Sequence, residues 1–520
     1  MKSSLLIVVS ACALATVPAS AVAQHPHMPG MTMPMPGKKP LAKKPVPKKA
    51  AAHKPAKQKS VAKKGPAKRA KAAHAKHPPA AVAPMEGMPM HHDSAQPIEP
   101  AMPMPMDHSQ MDHSQMGQMP MDHGSMQMGG HADHAMAMTG VLGSYPMERE
   151  SSGTAWQPDT SEHAGLHIMS GDWTLMAHGV VNLVYDHQSG PRGDDKLFAS
   201  GMLMGMARRP LGNGTLQFKA MVSPDPLMGK RGYPLLLASG ETANGTDRLI
   251  DRQHPHDLFM ELSASLSQNI GSNSSLFVYA GLPGEPAFGP PAFMHREAIL
   301  DSPEAPISHH WLDSTHISFG VVTAGVVVDR VKLEVSRFNG REPDQHRWNF
   351  ETGPLDSTAI RVSWNPTRTL ALQGSWGHFT DPEQLEPGVD QKRWSASALW
   401  AASIAPGWKA AATLAWGRKS AHGHDDDAYV AEGSLKHAGW TLFGRGELTE
   451  NRELTTAEDG PAYRVGKVSL GAVRDFAMAE HFSLGLGGLF AVNFVPHGLA
   501  PGYGGHNPTG AMGFVRLKLD

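Results

Sequence analysis

Residues 394–416 read WSASALWAASIAPGWKAAATLAW. Two runs, Trp394 to Ala402 and Trp408 to Trp416, alternate small or polar residues with apolar ones, and Ala405-Pro406-Gly407 separates them. A period of two is the mark of a β-strand, whose successive side chains point to opposite faces. Pro-Gly between two such runs is turn chemistry. The first run carries the small residues Ser395-Ala396-Ser397-Ala398, and Trp394, Trp400, Trp408 and Trp416 flank the strands. Indole rings at strand ends suit the two interfaces of a membrane.

The same pattern recurs outward in both directions. Before this hairpin come Trp173 to Tyr185, Leu197 to Arg208, Thr215 to Ser223, Leu258 to Leu266, Ser275 to Ala280, Ile317 to Thr323, Val326 to Val335, Thr358 to Trp364 and Thr369 to Trp376. After it come Ala428 to Leu435, Trp440 to Leu448, Arg464 to Val473, His481 to Val492 and Ala511 to Leu519. Connections alternate between short turns, such as 210–214, 365–367 and 436–439, and long stretches around 224–256, 281–315, 338–356, 379–391, 417–427, 449–463 and 493–510. One end with short turns and one with long loops is the layout of an outer-membrane barrel. The expected fold is therefore all-β: a transmembrane antiparallel β-barrel of about 16 strands over residues 165–520, preceded by a disordered N-terminal arm, with outer-membrane lipid as its surroundings. A soluble propeller would need a blade-length repeat, and none is evident. No segment approaches 18 apolar residues without a charge, so membrane helices are not expected.

The arm differs in composition. Residues 1–140 hold 16 Lys+Arg against 7 Asp+Glu, 19 of the 31 Met and 12 of the 30 His, and the first aromatic residue of the chain is Tyr145. Lys2, an apolar run from Leu5 and the small residues Ala21-Val22-Ala23 have the order of a secretory signal, which predicts cleavage after Ala23 and export to the outer membrane with the arm in the periplasm. Cys12 is the one cysteine, so a disulfide framework and a thiolate zinc site are excluded. Residues 24–83 read as a Lys/Pro/Ala linker, which self-repulsion and proline keep from compact structure. The uneven charge argues against a nucleic-acid partner.

Residues 84–140 form a Met/His tract, and residues 141–164 read as a second linker. The units Met106-Asp107-His108, Met111-Asp112-His113 and Met121-Asp122-His123 repeat among Met102, Met104, Met116, Met126, Met128, His131 and His134. Thioethers select Cu(I) or Ag(I) and imidazoles accept divalent ions, so these residues are the expected metal ligands, with copper ion, or silver, bound rather than catalytic. With these units the chain resembles outer-membrane copper-resistance proteins of the copper resistance protein B type. The resemblance implies a signal peptide, a Met/His segment, a C-terminal barrel and a role in copper tolerance with periplasmic copper-handling proteins as partners. A general porin with an incidental tail is the alternative reading.

Within the barrel region, Asp251-Arg252-Gln253-His254-Pro255-His256-Asp257 is the densest polar motif, and His309, His310, Asp313 and His316 form a second group with His295 nearby. These could make a metal site, or the acid–base site of a hydrolase, only if their loops fold together; otherwise they are a polar network in the lumen. His422-Gly423-His424-Asp425-Asp426-Asp427 reads as an exposed loop. No nucleophile elbow or His-Glu-x-x-His motif is present.

Overall fold

The computed structural model describes residues 138–162, 165–456 and 460–519. The signal peptide, the Lys/Pro/Ala linker and the ligand set from Met102 to His134 lie outside the described residues.

In chain order the strands are β1 (Leu166–Ser170), β2 (Trp173–Gln188), β3 (Asp195–Leu211), β4 (Gly214–Val222), β5 (Tyr233–Thr242), β6 (Arg248–Gln253), β7 (Phe259–Gly271), β8 (Ser274–Gly281), β9 (Val321–Val328) and β10 (Val331–Phe338). They continue with β11 (Ser357–Thr367), β12 (Leu370–Phe379), β13 (Gln391–Ala405), β14 (Trp408–Ala421), β15 (His424–His437), β16 (Trp440–Asn451), β17 (Tyr463–Ala479), β18 (Phe482–Phe494) and β19 (Thr509–Leu519). Sixteen of them, β2 to β4 and β7 to β19, pair antiparallel in sequence order, and β19 closes on β2 through Phe514↔Val184 and Leu517↔Val181. Closure removes every sheet edge, which a sheet in lipid requires. β1 extends one side of β2 below the point where β19 ends, and β5 and β6 pair only with each other.

The faces follow the alternation. Along β10, Lys332, Glu334 and Ser336 are fully buried, while Val331, Leu333 and Val335 are exposed on the outside. Trp364, Trp400, Trp408, Trp440 and Phe482 are exposed near the short-turn end, the position of an aromatic girdle. A closed barrel with a lipid-facing apolar belt is an outer-membrane protein, and its short-turn end is the periplasmic one. The described chain begins at that end, where the Thr139 carbonyl accepts from Arg208 beside the β3–β4 turn. Leu470 lies midway along β17 and is 68% exposed. Leu470→Arg should cost about 2–4 kcal/mol, read by urea unfolding in lipid vesicles; an unchanged midpoint would place Leu470 off the lipid face.

The short turns have two residues, as at Ala438-Gly439, where both φ angles are positive (48° and 79°). That is the primed turn whose twist matches a hairpin. Two sequence expectations are corrected here. Val326 to Val335 is not one strand: it turns at Asp329-Arg330, with Asp329 at φ 54°, and makes the β9–β10 hairpin. Residues 417–427 are not a long loop. Arg418 and Lys419 pair across the strands with Asp427 and Asp426, so β14 and β15 run on to a tight turn at His422-Gly423. Opposite charges on facing strands outweigh the poor strand propensity of aspartate.

The lumen is filled. Residues 282–320, between β8 and β9, fold inward. Arg296 is bonded to Asp313 (2.5 Å) and to Glu432 on β15 (2.7 Å), with no exposure of these side chains above 1%. Arg445 adds a second partner for Glu432 at 3.1 Å. Residues 138–162, read from sequence as the end of the tract and a linker, instead form a plug inside the wall at the short-turn end. Val141, Leu142, Tyr145 and Trp156 pack on Phe277 and Val327. Thr154 Oγ1 donates to Glu334 (2.6 Å), and Asn365 donates to the Gln157 carbonyl (2.8 Å).

Candidate functional site

Two groups of histidine and methionine side chains gather in the lumen. The first unites the two histidine motifs. His254 and His256 follow β6, with Pro255 keeping His254 extended. His309 and His310 open a single helical turn, His309–Leu312, and His316 ends the next turn, Ser314–His316. That turn is tied down by Ser308, whose Oγ donates to Glu447 (2.7 Å), and by Trp311, whose Nε1 donates to the Asp426 carbonyl (3.0 Å). Ring centroids lie 5.7 Å apart for His254 and His309, 5.3 Å for His309 and His316, 5.1 Å for His256 and His316, and 6.5 Å for His254 and His256. All five rings are buried.

Each Nδ1 faces an acceptor. His256 faces Asp225 (2.8 Å), His309 faces Asp313 (2.8 Å), His310 faces Glu342 (3.1 Å) and His316 faces the Asp313 carbonyl (2.6 Å). His254 faces Glu241 (3.3 Å) and the Pro255 carbonyl (3.4 Å). Burial, aided by Arg347, holds His254 well below the usual histidine range; burial and neighbouring His256 do the same to His316. Burial also lowers His309 despite Asp313. Burial opposes a charge on His310 too, but there the Glu342 carboxylate wins and its pKa is raised.

The rest of the Asp251–Asp257 motif does structural work. Asp251, at φ 56°, accepts from the Leu237 amide and the Tyr503 hydroxyl, both at 2.8 Å, and Asp257 pairs with Arg347 at 3.1 Å. His422 and His424 sit far along the chain in the exposed β14–β15 turn, where His422 meets Glu386 at 3.0 Å. Among the described residues no three His, Cys, Asp or Glu side chains already surround a common metal position. Among the described residues the hydrogen-bond partners of the five rings are carboxylates and backbone carbonyls, not serine or threonine hydroxyls.

The second group was missed from sequence. Met202, Met204 and Met206 alternate along β3 and share its inward face. In register they meet Val180, His178 and Met176 on β2, while Met204 also faces Met221 on β4. Together with Met138 and Met147 of the plug, and Met294 and His295 of the inward loop, they line a cavity of about 130 Å³. Several of the charged groups around it are paired: Lys219 with Glu261 (3.5 Å), Lys436 with Glu297 (2.9 Å) and Glu162 (3.1 Å), and Arg516 with Asp301 (2.6 Å). The signal was available as Met-x-Met-x-Met within a strand, where period two stacks three thioethers on one face. His295 belongs to this cavity, while the adjoining Phe293 rests on His256 and His309 with centroids at 6.3 and 5.8 Å. Phe293-Met294 therefore links the two groups.

These features define an outer-membrane β-barrel with an inward loop and a plug. No protein-family model matches the chain, and no curated protein is similar to it. Among solved structures it is similar to OmpT of Vibrio cholerae (9% identity over 68% of this chain and all of that one, TM-score 0.39). It is also similar to OmpF of Salmonella typhi in complex with daunomycin (11%, 68% and 100%, TM-score 0.43) and to OprB of Pseudomonas putida (9%, 67% and 94%, TM-score 0.45). Likeness at this level carries no function across, and the barrel assignment rests on strand closure and the apolar belt. The copper-resistance resemblance is architectural and is specific only in the Met-Asp-His units, which lie outside the described residues.

Proposed function

We propose that the barrel binds Cu(I) or Ag(I) in its lumen and exchanges it with the periplasmic Met/His tract, contributing to metal tolerance. The observation that carries this reading is the thioether-lined cavity. Methionines face one another inward on adjacent strands, whereas elsewhere the inward wall carries charged residues such as Lys332, Glu334 and Arg361 or apolar ones such as Phe277 and Phe338. Soft thioethers prefer monovalent coinage ions where free thiolates would oxidise. Met138, the last methionine of the tract, lines the same cavity. Periplasmic copper-handling proteins would be the partners of the tract.

The test is titration of the refolded mature chain with Cu(I) against a competing chelator under reducing, anaerobic conditions. Met202→Leu/Met204→Leu/Met206→Leu preserves volume, so the barrel should hold. It should lose one lumenal site or weaken it by at least roughly tenfold, the loss that even disturbing a ligand's surroundings produces. Deleting residues 84–137 should remove further sites and leave the lumenal one. Equal binding by wild type and both variants would overturn the proposal. The second reading is a general solute channel, favoured by the strand number, since sixteen-stranded porins leave an aqueous pore. It predicts single-channel conductance that is insensitive to Ag(I) and to both variants.

A further inference from the structure

We infer that His254, His256, His309 and His316 form a four-imidazole site for a divalent transition ion of the Zn(II), Cu(II) or Ni(II) kind, separate from the thioether cavity. Three observations converge on it. First, the Nε2 atoms of these four rings are buried and have no hydrogen-bond partner. A buried polar atom left unmatched is costly, and four within one cluster need a common explanation. Second, every Nδ1 faces an acceptor: Asp225, Asp313, Glu241 with the Pro255 carbonyl, or the Asp313 carbonyl. An Nδ1 facing an acceptor carries the proton, so Nε2 presents a lone pair. Four lone pairs suit a cation and reject an anion. Carboxylate or carbonyl groups behind the rings also fix their orientation, as they do for histidines that ligate metals.

Third, the spacing fits. A metal about 2.0–2.1 Å from each nitrogen holds tetrahedral imidazole centroids roughly 5 Å apart. Of the six pairs that four rings make, three stand at 5.1, 5.3 and 5.7 Å. His254 with His256 stands wider, at 6.5 Å, so a metal would have to draw the rings inward from an open arrangement by rotation of their side chains. His310 is outside the set: its Nε2 approaches Gly240, where an added Cβ would meet it at 2.6 Å. Imidazole favours divalent ions where thioether favours monovalent ones, so this site stands whether or not the cavity takes Cu(I).

The thermal midpoint of the full mature chain in detergent, with and without Zn(II), tests the site first, because ions held by the tract alone do not stabilise the wall. A rise of several degrees is expected, and no rise in wild type would overturn the inference. Co(II) titration is the second measurement. Wild type should show one more equivalent with tetrahedral visible absorption than His309→Gln/His316→Gln or His256→Gln. Met202→Leu/Met204→Leu/Met206→Leu should keep that equivalent. Identical Co(II) spectra and stoichiometry in wild type and in folded histidine variants would assign the rings to a hydrogen-bonded lumen network instead.

Discussion

Arg296→Met should release the inward loop and cost about 3–5 kcal/mol, the loss expected when one partner of a buried ion pair is removed. Arg296 is fully buried between Asp313 and Glu432. Its loss strands the Asp313 carboxylate beside His309 and leaves Glu432 with Arg445 alone. Asp313 also holds both His309 and His316, through its side chain and its carbonyl, so the histidine cluster should loosen with the loop. The expected readouts are a lower thermal midpoint and new protease cuts within residues 282–320. Adding Asp313→Asn should recover part of the loss, because the amide oxygen still accepts from His309 while carrying no charge. Arg296→Lys should recover less than wild type, since an ammonium cannot bond Glu432 through two nitrogens. An unchanged midpoint with an unchanged cleavage pattern would mean that the loop is held by other contacts.

The wall was legible because each strand states its own two faces. Val331, Leu333 and Val335 against Lys332, Glu334 and Ser336 need no partner to be read as lipid side and lumen side. Reading failed where a partner strand decides. Asp425 to Asp427 look like a loop until Arg418 and Lys419 stand opposite. The lumen contents were harder still. Residues 138–162 have no period and are held by contacts distant in sequence, such as Lys332 with the Thr154 carbonyl and Thr160 with the Ala401 carbonyl at 2.6 Å. Nothing local in Gly153-Thr154-Ala155 announces those partners. The histidines were visible as two motifs. Their meeting depended on two loops turning inward onto carboxylates from other segments, Asp225 and Glu342 among them. Met202, Met204 and Met206 could have been found from sequence, since their strand and its period were both read.

Deleting residues 139–162 should leave the barrel folded and uncover the thioether cavity from the periplasmic side. The plug carries Glu148, Arg149, Glu150, Asp159 and Glu162, and Glu162 is ion-paired to the wall, with half-exposed Lys409 and with Lys436. Arg149 and Asp159 are bonded to each other at 2.7 Å and depart together. Behind them Glu334 keeps Lys332 (3.0 Å) and Arg361 (2.9 Å), and Lys436 keeps Glu297 (2.9 Å) and Asp301 (3.5 Å). No buried wall charge is therefore stranded, in contrast to Arg296→Met. What is lost is the apolar contact of Val141, Leu142, Tyr145 and Trp156 with Phe277 and Val327. Met202 is 2% exposed, so the thiol of Met202→Cys should react slowly with a bulky, membrane-impermeant reagent while the plug is in place. Removing the plug should accelerate that reaction by at least about a hundredfold, the factor that waiting for a local opening of a few kcal/mol imposes. Conductance should stay low in the same variant, because residues 282–320 still occupy the lumen, as does the β5–β6 hairpin, whose buried Leu235, Leu236 and Leu237 cluster with Val184, Phe198 and Phe443 of the wall. A large conductance step without them being touched would show that the plug alone closes the barrel. An unchanged labelling rate would show that access to the cavity comes from the long-loop end.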